Sequence, residues 1–195
     1  MRRLPIILAS LLFPTAAFAH PDISHAAGLL HGFEHPLGGV DHILAMVAVG
    51  IFAFVLDGRA LLLVPLSFVG TMIAGFMLGA NGIELPFVEL GIALSSVVIG
   101  GAAALGRPMP VAGAMALVGA FAVFHGHAHG AEMPADAGGA LYAAGFIAAT
   151  ALLHLAGIAA ALGVSRLVGK YGRVVAQVVG GIFALGGVGV LLGWL

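Results

Sequence analysis

The chain has 195 residues, 62% of them hydrophobic and only 8% charged, with a mean hydropathy of +1.18. Water-soluble domains carry about 25% charged residues, so this composition excludes a soluble globular protein and calls for lipid around much of the surface. A formal net charge of −1 without basic runs excludes a nucleic-acid binder, and the absence of cysteine removes disulfides and thiolate metal ligands. Imidazole, carboxylate and thioether remain as donors, and the nine histidines outnumber the seven lysines and arginines.

Residues 1–19 have the layout of a cleaved signal peptide. Arg2 and Arg3 precede an apolar stretch from Leu4 to Pro14, and Ala17-Phe18-Ala19 fits the small-x-small cleavage rule. Cleavage there starts the mature chain at His20, outside the inner membrane. Residues 20–35 then read as a periplasmic histidine-rich segment with His20, His25, His31 and His35 beside Asp22 and Glu34.

Residues 36–195 read as one transmembrane domain. Its apolar stretches fall at about 36–56, 60–79, 86–105, 109–129, 139–163 and 174–194, each near the ~20 residues a crossing needs. Backbone groups in lipid must be satisfied internally, so the expected fold is an all-α membrane protein of six transmembrane helices. Gly, Pro and charge mark every break: Asp57 to Arg59, Asn81 to Glu84, Gly106 to Pro108, Glu132 to Gly139 and Ser165 to Arg173. With the mature N-terminus outside, the first, third and fifth connections face the cytoplasm. They hold Arg59, Arg107, Arg166, Lys170 and Arg173, every basic residue of the mature chain. This positive-inside pattern puts both mature termini in the periplasm. Gly70 and Ala74, Gly75 and Gly79, Ala112 and Ala116, Gly145 and Ala149, and Gly189 and Gly193 are i,i+4 small pairs suited to close helix contacts.

Two polar stretches interrupt this apolar plan. In HPLGGVDH, residues 35–42, His35, Asp41 and His42 stand at the entrance of the first span, with Met46 four residues deeper. Pro36 suits the first turn of a helix and would push His35 out of helical geometry. Ionisable groups at a membrane span are costly to desolvate and need a partner, for which a divalent cation is suited. In FHGHAHGAE, residues 124–132, His125, His129 and Glu132 are spaced i, i+4, i+7 and line one helical stripe, while His127 points elsewhere, towards outer water. The metal-ligand set is therefore His35, Asp41, His42, His125, His129 and Glu132, with His20, His31, His127, Glu89 and His154 as additional candidates. Glu89 sits near the outer end of the third span and could balance charge. His154, deeper in the fifth, is either an inner stepping point or a histidine bonded to a neighbouring carbonyl. Ser95, Ser96, Thr71 and Thr150 are expected to bond back to their own helices.

His31-Gly32-Phe33-Glu34-His35 also matches H-x-x-E-H, a zinc-protease pattern, which makes a membrane-embedded zinc-dependent hydrolase the alternative function. Pro36 argues against the continuous helix that such a site requires. Neither a phosphate-binding G-x-x-x-x-G-K-[ST] nor a G-x-S-x-G nucleophile elbow occurs.

H-x5-D-H at His35, Asp41 and His42, and F-H-G-x-A-H-G-x-E from Phe124 to Glu132, are complete. With these signatures the chain resembles, over almost its whole length, the HupE/UreJ family of bacterial nickel permeases. The resemblance implies a permease rather than an enzyme. It would bring Ni2+, or Co2+ as in some relatives, across the inner membrane for hydrogenase or urease assembly. It also implies no tightly bound cofactor, the divalent ion and the bilayer as partners, and room for a homo-oligomer. Histidines ligate only when neutral, so uptake is expected to fall as pH drops through the imidazole range, about 6.5.

Overall fold

The computed structural model describes residues 21–135 and 137–195. The expected leader, residues 1–19, and His20 lie outside the described residues, as does the side chain of His25. Every regular element among the described residues is helical: α1 (Pro21–Gly38), α2 (Val40–Leu56), α3 (Ala60–Ala80), α4 (Val88–Leu105), α5 (Val111–Ala131), α6 (Gly139–Val168) and α7 (Gly172–Leu191), with a 3-10 turn at Gly169–Tyr171. The six apolar stretches correspond to α2 to α7.

Length and hydropathy qualify four helical segments to cross a membrane: Ala60–Ala80, Val88–Leu105, Val111–Ala131 and the run Gly139–Leu191. The pair Ala27–Gly38 and Val40–Leu56, bent by 84°, makes a fifth. The Gly139–Leu191 run has 53 residues and would be about 80 Å long as one straight helix. It does not stay straight. Val164 of α6 and Ala176 of α7 share the wall of one small cavity with Ile51 of α2, and α6 packs on α7. The chain turns back at Gly169, whose φ of 57° suits glycine.

The entrance to the first apolar stretch departs from expectation. Pro36 does not open a helix; it lies inside α1, which continues through His35 to Gly38. The break falls three residues later, at Gly39, where extended backbone (φ −104°, ψ 123°) separates α1 from α2. A proline in the last turn forfeits one backbone hydrogen bond, and the packing of α1 on α6 outweighs that local cost.

Small residues set the helix spacing. Gly75 and Gly79 of α3 press on the backbone of α5 at Val123 and His127, while Gly126 and Gly130 of α5 press on α3 at Met72 and Phe76. A Cβ at any of the four would collide with a backbone carbonyl oxygen. Gly145 of α6 likewise meets α1 at Leu29, and Gly50 of α2 meets α6 at His154. Backbones this close gain dispersion that lipid cannot match. The small pairs at Gly75/Gly79 and Gly145 thus serve packing, whereas Gly70 faces open space and Gly193 lies in the C-terminal turn with φ 68°. Large apolar side chains, including Leu62, Leu66 and Met77 of α3 and Val178, Ile182 and Leu185 of α7, remain exposed, as surfaces meant for lipid do.

Candidate metal-ion site

One end of the bundle gathers the elbow between α1 and α2, the end of α5 and the start of α6. The site is built there from three directions.

From α2 comes His42. Asp41 Oδ1 accepts two hydrogen bonds from it, from the backbone N–H at 2.7 Å and from ring Nδ1 at 2.9 Å. A ring that donates through Nδ1 carries its lone pair on Nε2, and His42 Nε2 is buried without a partner. Gly39 makes room for this arrangement, since a Cβ there would meet Asp41 Oδ1 at 2.6 Å and His42 Nδ1 at 3.0 Å.

From α5 come His125 and His129, one turn apart and both fully buried. Phe124, the first residue of the motif, seats its ring against Gly91 of α4. This brings Ser95, one turn beyond Gly91, against His125. Ser95 Oγ donates its single proton to the Ile92 carbonyl and therefore accepts from His125 Nε2–H at 2.9 Å. The His125 lone pair is then on Nδ1, again buried without a partner. His129 stacks on Phe146 of α6, with ring centres 4.8 Å apart and planes 11° apart, and neither of its nitrogens has a partner.

From α1 comes His35, whose Nε2 lies 3.1 Å from Glu132 Oε2. Glu132 caps α5, so this contact ties the two histidine-bearing helices together at the mouth. The His35 ring centre is 4.9 Å from that of His129 and 6.4 Å from that of His42. The His42 ring centre lies 4.8 Å from His125 and 5.1 Å from His129. Two motifs some eighty residues apart therefore meet, and they meet through imidazoles. Among the described residues no three imidazole or carboxylate side chains are already drawn about one point as a metal would require.

Above the rings opens a cavity of ≈ 450 Å3. His35, Asp41 and His42 form its floor side, and His31, Glu34, Glu89 and Glu132 its rim. His31, Glu34 and His35 (i, i+3, i+4) span about one turn of an unbroken α1, contrary to the interruption expected from Pro36.

Two other expected candidates stand apart. His127 is buried rather than turned to outer water, and its Nε2–H donates to the Ile83 carbonyl at 2.7 Å. His154 is buried deeper, against Phe68, with no carbonyl partner. Met46 belongs to the apolar core. Sequence reasoning missed Ser95, Tyr142 and Phe146. Ser96 and Thr71 do bond back to their own helices, but Ser95 does so while also receiving His125, and Thr150 bonds Met72 Sδ at 3.7 Å instead. Tyr142, beside His35 with ring centres 6.2 Å apart, buries a hydroxyl with no partner. An i,i+4 count along α6 would have put Tyr142 and Phe146 on one face, but not named that face as the one meeting the histidines.

An all-helical, multi-pass membrane protein with clustered imidazoles under an acidic rim belongs to the class of membrane metal-ion transporters. The chain belongs to the HupE/UreJ family: the family model, described as HupE / UreJ protein, matches residues 8–191. It is 47% identical over 186 residues to Protein HupE of Rhizobium leguminosarum bv. viciae, with 95% of each chain covered. This is a family of nickel and cobalt transporters, not of enzymes, so the hydrolase alternative falls. No solved structure matches.

Proposed function

We propose that the protein is an inner-membrane permease that carries Ni2+, with Co2+ as a second cargo, from the periplasm to the cytoplasm. One observation carries this reading: His42 Nε2, His125 Nδ1 and the nitrogens of His129 are buried, close together and without protein partners. Leaving one buried polar atom unpaired costs about 1–3 kcal/mol, and a run of such atoms is sustained when a ligand is their partner. Imidazoles at 90–109° around a shared ion, with bonds of ~2.1 Å, have ring centres roughly 4.5–5.2 Å apart. The 4.8 and 5.1 Å spacings about His42 fit that range.

In this mechanism the rim carboxylates, with His31 and any contribution from His20, gather the cation electrostatically. His42, His125 and His129 then replace part of its water, and His35 joins when its contact to Glu132 opens. Asp41 and Ser95 act behind the ligands, fixing ring orientation and tautomer. Imidazole favours Ni2+ over Co2+ only modestly, which accords with carrying either. The six helices α2 to α7 would each cross the membrane, with α1 at the outer surface, after removal of a leader ending near Ala19. Arg59, Arg107, Arg166, Lys170 and Arg173 then lie on the cytoplasmic side, and both mature termini in the periplasm. The delivered ion would serve maturation of a hydrogenase or urease.

The test is uptake of radioactive nickel by cells carrying His42→Ala or His129→Ala at matched protein level. Both should fall to background. Unchanged uptake in both variants removes the site.

A further inference from the structure

The buried face of α6 continues inward beyond the site. Tyr142, Phe146, Thr150 and His154 recur every four residues and are all buried, a single stripe running down from the mouth. Phe146 stacks on His129, so His154, eight residues further, lies about 12 Å deeper along the helix. Its ring is 1% exposed, and neither nitrogen has a hydrogen-bond partner. Nothing in the packing rewards an imidazole at this place over a leucine.

One aromatic ring links the surroundings of His154 to the outer site. Phe68 of α3 touches His154 edge-on, ring centres 5.0 Å apart and planes at 86°. The same Phe68 ring lies 5.6 Å from that of His125. One turn outward of His154 and of Phe68, Thr150 Oγ1 meets the Met72 thioether at about the level of His125. Pro65, within α3, lacks the N–H that would bond the Leu61 carbonyl. Leu61, Pro65 and His154 line, together with the exposed Leu62, Leu66 and Leu155, an apolar groove of ≈ 160 Å3 that opens between α3 and α6.

We propose that His154 is a second, inner station for the transported divalent cation, reached from the outer imidazoles past the Phe68 ring, which contacts both His125 and His154. This rests on the transport reading given above. Rotation of Phe68 about its side-chain bonds would open the way from His125 to His154 without moving a helix. Past His154 the buried positions of α6, Gly157 and Ala161, offer no donor. His154 is therefore the innermost side-chain ligand on this helix, and the ion leaves it only when the cytoplasmic half of the bundle parts.

The chain has no cysteine, so His154→Cys creates a unique thiol. Purified in detergent and titrated with Co2+, this variant should develop a thiolate-to-cobalt charge-transfer band that the wild type lacks. In proteoliposomes, His154→Leu should take up Ni2+ at least tenfold more slowly while binding Ni2+ at the outer site with unchanged affinity. Absence of the band in a folded His154→Cys that still binds Co2+, or wild-type uptake by His154→Leu, overturns the inner station and leaves the outer site standing. If the wild type itself neither binds nor moves Ni2+ or Co2+, the transport reading fails and the station with it.

Discussion

The two histidine motifs reach the same place by opposite means. HPLGGVDH is delivered by a broken element: α1 stops, the chain turns by 84° at Gly39, and α2 begins with Asp41 and His42 in its first turn. FHGHAHGAE is delivered by an unbroken one, α5, clamped to α3 through Gly126 and Gly130. Glycine thus serves different ends in the two motifs. At 39 it clears space for a side-chain pair; at 126 and 130 it lets two backbones touch. The elbow half hangs on one extended residue, and the α3–α5 half on direct backbone contact.

Substitutions can break that contrast. The largest effects should come from the converging imidazoles, with nickel uptake lost in His125→Ala as in the variants of His42 and His129. His127→Ala, two residues away on the same helix, should transport nearly normally, because that ring serves the Ile83 carbonyl. Equal loss from His127 would mean that the motif acts as a unit and not through the face that meets α2.

Gly126→Ala and Gly130→Ala come next, and their effect should be on stability. Each Cβ meets a carbonyl oxygen of α3, an overpacking that costs about 1–3 kcal/mol. This should appear as a lower thermal midpoint of the purified protein. Gly39→Ala should leave the midpoint almost unchanged yet reduce metal affinity about tenfold, since its Cβ displaces the Asp41–His42 pair. Gly38→Ala, with nothing within 4 Å, is the matched control and should be silent in both assays. An effect on affinity comparable to that of Gly39→Ala is expected for Ser95→Ala. It removes only the group that fixes the His125 tautomer, and should weaken metal binding by about tenfold, the lower end for such support. Ser95→Thr should restore it.

Much of this was legible in the sequence. Apolar length marked α2 to α7, and the i,i+4 spacing of His125 and His129 marked a shared face because helical period alone decides that. The extent of α1 was not legible. Pro36 carries a strong local signal for a helix start, and the packing of α1 overrides it, with Gly32 against Tyr142 of α6 and Gly28 against Ala137 just before that helix. Ser95 was passed over for a similar reason. Its bond to Ile92 is local and expected, whereas its second bond depends on Phe124 docking against Gly91, which no spacing within α4 announces.

The size of the outer cavity has a consequence for selectivity. At ~30 Å3 per water, ≈ 450 Å3 holds about 15 molecules, enough to admit a cation still wearing its full hydration shell. On the proposed transport reading, metals of equal charge would be indistinguishable at the vestibule, and discrimination would begin only where nitrogen first displaces water at the floor. Neutralising Glu34 or Glu89 should therefore slow the capture of nickel, cobalt and zinc alike, leaving their order of preference unchanged.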